Sequence, residues 1–212
     1  GGGPATHNRI KTTKELTAEQ LKAVDRVIAK LEKQADGTPF SRLTTLIGRD
    51  VRSQGERVSD IASLMKKYVG RPAPVFSLQT IGRKTVDNKQ FAGKVTILHF
   101  WGYKNKPLTE PYGQVGYLDF LLNRHRKDGV QVIGIAINSL LEEPATAKVA
   151  VRSARKLKEF MNLSYPIAVG NTQILRKFGD PRTLGAKLPL WIVIGPDEKI
   201  AHYHVGFYKI NP

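Results

Sequence analysis

The chain has 212 residues, 41% of them hydrophobic and none of them cysteine. That content supports a packed core and excludes a disulfide, a thiolate nucleophile and a cysteine metal ligand within these residues. The net charge of +16, from 34 Lys and Arg against 18 Asp and Glu, attracts anionic partners, and no apolar run approaches the roughly 20 residues of a membrane helix.

The length suits one domain of about 150 residues with an appendage. The chain starts Gly1-Gly2-Gly3 without Met. This reads as a processed end, which a signal peptide or lipid anchor could have preceded. Residues 1–14 are Gly-rich and polar and are expected to form a flexible tail. Thr17 followed by Gln20 spells a capping box. Leu21, Val24, Ile28 and Leu31 then repeat at helical spacing, and Asp36-Gly37 stops the run. A second, shorter helix is expected over Ser41–Val51. A third is expected from Ser53 to Val69, with Val58, Ile61, Met65 and Tyr68 on one face. Residues 15–69 therefore read as a helical extension that must bury its apolar faces in cis or in a homodimer.

Gly70-Arg71-Pro72-Ala73-Pro74 forces extended backbone and marks a boundary. Short strands follow around Val75–Leu78 and Ile81–Val86. Val95 to Trp101 is an apolar, β-branched and aromatic run, as a buried strand should be. It breaks into a polar turn with Gly102, Asn105 and Pro107. Tyr112 to Arg126 fits a helix. Val130–Ile137 is almost wholly apolar, as in a parallel strand covered on both faces. Lys148–Met161 fits a basic helix, Tyr165–Val169 a strand and Gln173–Phe178 a short helix. Leu190–Ile194 and Lys199–Val205 are strands joined by the tight-turn signature Gly195-Pro196-Asp197-Glu198. The order predicts an α/β fold with a mixed sheet.

The pieces resemble the thioredoxin fold, and more narrowly the TlpA/ResA-like and AhpC/TSA (redoxin) families, over about residues 69–209. The motifs that carry the resemblance are Val69-Gly70-Arg71-Pro72-Ala73-Pro74-Val75-Phe76-Ser77-Leu78, Phe91-Ala92-Gly93-Lys94-Val95 with His99-Phe100-Trp101, Gly129–Ile135, Leu188–Ile194 and Pro196–Ile200. The resemblance implies a thioredoxin-like domain over 70–212, and a periplasmic, cell-envelope or secreted home. It also implies a cis peptide at Leu188–Pro189, beside the active loop. In those oxidoreductases the turn after Phe-Trp carries Cys-x-x-Cys, whose thiols perform disulfide exchange. Here the two positions fall on Asn105 and Leu108. A shifted gap puts Tyr103 and Lys106 there instead, and neither register supplies a sulfur. The loop is about two residues shorter before Pro111 than the family's common pattern. No catalytic residue is therefore expected in the loop.

A binding or scaffolding role is the leading reading, through Trp101, Tyr103, Asn105, Lys106, Leu188 and Pro189. An extended peptide would dock at the Pro189 edge. One alternative is a thiol-disulfide oxidoreductase or antioxidant protein acting with a partner's thiols. Another is a basic module binding an anionic partner. The clusters Arg124-His125-Arg126-Lys127 and Arg152, Arg155, Lys156, Lys158 read first as solvated helix faces. His202 and His204 share one strand face. With His99 they form a weak metal candidate, against the plainer reading of a hydrogen-bonded histidine pair. No cofactor is expected.

Overall fold

The computed structural model describes residues 16–102 and 114–208. The readings made on the tail and on Tyr103, Asn105, Lys106 and Leu108 lie outside the described residues. The chain forms two compact units, residues 1–62 and 63–212.

The first unit holds α1 (Ala18–Ala35) and most of α2 (Ser41–Tyr68). The expected capping box opens α1. The Thr17 hydroxyl accepts from the Gln20 amide at 3.2 Å, and the Gln20 side chain accepts from the Thr17 amide at 2.9 Å. Leu21, Ile28 and Val51 are buried together, with Leu16 and Val24 against them. Glu32 pairs with Arg52 at 3.1 Å across the hairpin. One expectation is corrected. Ser41–Val51 and Ser53–Val69 are not separate helices but one, because no proline or cap interrupts them. Gly48 and Gly55 each cost about 1 kcal/mol relative to Ala, which lowers helix stability without ending it.

In the second unit the last turns of α2 bring Leu64, Met65 and Tyr68 onto the core. Tyr68 stacks on Tyr203 with ring centroids 5.6 Å apart. The two short strands β1 (Ser77–Gln79) and β2 (Thr85–Asp87) form an antiparallel hairpin. The elements β3 (Val95–Gly102), α3 (Val115–His125), β4 (Val130–Ile137), α4 (Pro144–Phe160), β5 (Ile167–Gly170), α5 (Thr172–Lys177), β6 (Leu190–Ile194) and β7 (Ile200–Val205) follow. The five-stranded sheet has the order β5-β4-β3-β6-β7. β3, β4 and β5 are parallel, and β6 runs antiparallel to its two neighbours β3 and β7, so the sheet is mixed as predicted.

Alternation along β3 sorts the core. Leu98 and Phe100 face a cluster with Phe76, Phe91, Phe178 and Tyr203. Trp101 faces Val115, Leu118 and Leu122 of α3 and Ala154 and Leu157 of α4. Helices thus cover the sheet on both faces, as the apolar runs of β3 and β4 require. The arrangement is thioredoxin-like, with a helical hairpin preceding it in sequence.

Candidate functional site

β3 ends at Gly102, in the middle of the sheet. The pairing of β3 with β6 ends at Phe100↔Leu190, which brings Trp101 and Gly102 alongside the Leu188–Pro189 segment. A Cβ on Gly102 would stand 3.6 Å from Leu188 Cδ1, ordinary contact. The Leu188–Pro189 peptide bond is cis, as the resemblance implied. Pro189 is buried, and its carbonyl accepts from the Gly206 amide at 2.8 Å. Leu188 is half-buried. Neither its amide nor its carbonyl is hydrogen-bonded among the described residues. Among the described residues, a main-chain donor and acceptor without partners therefore stand beside the end of the central strand.

Trp101 is fully buried. Its indole nitrogen lies 3.3 Å from where a Cβ on Gly134 would sit, so only glycine on β4 leaves it ordinary room. Trp101 thus backs the site from inside the core.

A segment from Gly206 to Tyr208 flanks the Pro189 edge, and three anchors hold it besides its contacts with His202 and His204. The first is the Gly206–Pro189 hydrogen bond. In the second, Trp191 Nε1 donates to the Gly206 carbonyl at 3.0 Å. In the third, Gln114, at the start of α3, donates through Nε2 to the Tyr208 carbonyl at 2.9 Å. Its Oε1 accepts from the Tyr208 amide at 2.8 Å. Gln114 has a left-handed backbone, φ 64°, which costs a side-chain-bearing residue about 1–2 kcal/mol.

The Tyr208 ring stacks on His204 at 4.1 Å and meets Trp191 edge-on at 5.2 Å. Its hydroxyl lies 2.6 Å from His202 Nε2. Burial lowers the His204 pKa. A backbone hydrogen bond with Phe207 works against that, and the neighbouring His202 lowers it further. Burial also raises the pKa of the Tyr208 phenol. Both groups are thus held neutral near pH 7, which suits rings in van der Waals contact.

The three histidines do not converge. Strand register sets His99, Trp191 and His204 in one row across β3, β6 and β7. Trp191 stands between the two histidines, its ring 4.1 Å from that of His99. Two strand spacings separate His99 from His204, about 10 Å. Among the described residues, no group of three or more His, Asp or Glu side chains could hold a metal ion. Sequence reasoning missed Gln114, Gly206 and Tyr208. The available signal was an aromatic four residues beyond His204, but its clamp lies 94 residues away.

The AhpC/TSA family model matches residues 69–203. Curated relatives include the thiol-disulfide oxidoreductase ResA of Bacillus thuringiensis (strain Al Hakam) and that of Bacillus anthracis. Each is 26% identical over 145 residues, spanning 66% of this chain and 72% of the relative. Among solved structures, a thiol:disulfide interchange protein of the thioredoxin family from Chlorobium tepidum TLS aligns with a TM-score of 0.50 and 20% identity. That alignment covers 65% of this chain and 86% of the other. An uncharacterized conserved protein from Geobacillus kaustophilus aligns with a TM-score of 0.52 and 18% identity, over 68% and 75% of the two chains. At such identity the structures speak for the fold alone.

Proposed function

The chain belongs to the AhpC/TSA family, and because its 212 residues hold no cysteine we propose that it is a redox-inactive member that binds an extended polypeptide. The observation that carries this reading is the main chain of Leu188, which has no hydrogen bond among the described residues, beside the buried Pro189. A strand laid along it would gain backbone hydrogen bonds, and β-edge capture of this kind requires no sulfur. The relatives' thiol chemistry begins with a thiolate, and no residue here can supply one. Tyr103, Asn105 and Lys106, in the loop that replaces Cys-x-x-Cys, would meet the bound peptide's side chains.

On the same reading the protein works in the periplasm or at the cell surface. No described helix is long and apolar enough to cross a membrane.

Two assays test the proposal. Insulin-disulfide reduction and peroxide consumption should both run at the protein-free rate. A carboxymethylated, unfolded polypeptide should bind in about 0.3 M salt, where diffuse charge attraction is largely screened. Turnover above the control, or no binding at that salt, would refute it.

A further inference from the structure

A second feature of the domain lies at β5, the outer strand of the sheet, and shares no residue with the Leu188 edge. Between α4 and the β1–β2 turn runs a cleft of about 580 Å³, within the usual range of ligand clefts. Arg83, Lys148, Arg152 and Arg155 line it, and among the described residues no carboxylate does. Val151 and Val169 contribute apolar surface.

The cations come from two elements. Arg83 sits in the β1–β2 turn with φ 63°. That turn is closed by Thr80, whose amide donates to the Lys84 carbonyl at 2.8 Å and whose hydroxyl accepts from the Lys84 amide at 3.1 Å. The other three project from α4. Arg155 is tied down at one nitrogen, donating to the Ile81 carbonyl at 2.9 Å. The side chains of Arg83, Lys148 and Arg152 have no hydrogen bond or ion pair among the described residues. Several unneutralised cations around one concavity repel one another, and a complementary anion removes that cost.

Spacing narrows the ligand. Along α4 the step from Lys148 to Arg152 is four residues, a rise of about 6 Å, and that from Arg152 to Arg155 is three, about 4.5 Å. In an extended peptide, side chains on one face repeat about every 6.7 Å, close to the step from Lys148 to Arg152. Arginine's planar fork matches a carboxylate in bidentate fashion. The apolar surface suits the short hydrophobic side chains between such carboxylates. Single-stranded nucleic acid has a similar charge repeat, but it is held by aromatic stacking platforms, and no aromatic residue lines this cleft. A flat lipid surface cannot fill a recessed groove. Beyond Arg155, Glu159 borders the adjoining cavity and ends the cationic wall. We propose that this cleft binds an extended acidic peptide segment of a partner protein, with carboxylates on alternate residues and small apolar residues between them.

The test uses the full chain and a fluorescein-labelled hexapeptide alternating Glu and Val, followed by anisotropy in 50 mM salt. The Arg83→Glu/Arg152→Glu variant should weaken binding at least tenfold. Arg124→Glu/Lys127→Glu alters net charge equally at exposed positions on and beyond α3, and it should change affinity less than twofold. Amide shift changes should cluster at residues 80–84 and 148–155. Equal losses in the two variants would overturn the proposal, as would equal binding of a peptide with its Glu residues in one block. Displacement by an oligonucleotide or by anionic vesicles at lower charge concentration than unlabelled peptide would also overturn it. If Arg83→Glu/Arg152→Glu melts early, the single Arg152→Ala variant decides. It must lose affinity at an unchanged melting temperature, and unchanged affinity would refute the site.

Discussion

Replacing Gln114 with Ala removes the two hydrogen bonds that it makes to the Tyr208 main chain, at 2.9 and 2.8 Å, and leaves the Tyr208 hydroxyl on His202. Each such bond contributes a net 0.5–1.5 kcal/mol or so, so the 206–208 segment should lose about 1–3 kcal/mol of local stability. Exchange of the Tyr208 amide with solvent deuterium should then accelerate roughly 5- to 150-fold. Trp191, edge-on to the Tyr208 ring, should shift its emission to longer wavelength as the segment opens. Gln114→Gly separates this clamp from backbone strain. It loses the same two bonds, so Tyr208 exchange should accelerate as much as in Gln114→Ala. However, glycine adopts the φ of 64° without the penalty of about 1 kcal/mol that alanine retains. In global denaturant unfolding Gln114→Gly should therefore be the more stable of the two. Wild-type exchange at Tyr208 in Gln114→Ala would refute the assignment of the clamp.

Tyr203→Phe deletes a buried hydroxyl whose single proton is shared between the carbonyls of Phe178 and Gly179, at 2.9 and 2.8 Å. The expected loss is about 1–3 kcal/mol, which lowers the melting temperature by roughly 2–12 °C for a chain of this size. A change below about 0.3 kcal/mol would show that the bonds contribute nothing. The depressed His204 pKa sets a pH dependence. The unfolded imidazole takes up its proton near pH 6.5 and the folded one only at lower pH. The unfolded state thus binds more protons in that window. Stability should be level above about pH 7 and decline as pH falls through 6.5, and His204→Phe should flatten that decline. Urea midpoints at pH 7.5 and 5.5 check this, and an equal decline in His204→Phe would contradict it.

Continuous apolar runs made β3, β4 and β6 legible, because a strand covered on both faces leaves no room for polar residues. The β4 and β6 boundaries agree with the reading to the residue. Thr17 and Gln20 announced the first helix through local hydrogen bonding, which needs no tertiary context. Other features had no local signature. Continuity of α2 past Val51 depends on helical hydrogen bonds that a weak hydrophobic pattern around Arg52 does not reveal. The clamp joins Gln114 to Tyr208 across 94 residues. Arg152 and Arg155 read as solvated helix faces, because their neighbour Arg83 is brought in by the β1–β2 turn. Trp101 reads in the sequence as a binding residue, and only the alternation of β3 against α3 shows that its ring lies inside the core.

The Leu188 amide gives the most direct measurement. With an unfolded, thiol-free polypeptide added in about 0.3 M salt, its NMR resonance should shift downfield and its hydrogen exchange should slow, as an inter-strand bond forms. The same polypeptide N-methylated at its backbone should do neither. A Leu188 resonance unmoved by saturating polypeptide, or moved equally by the methylated one, would contradict capture at this edge.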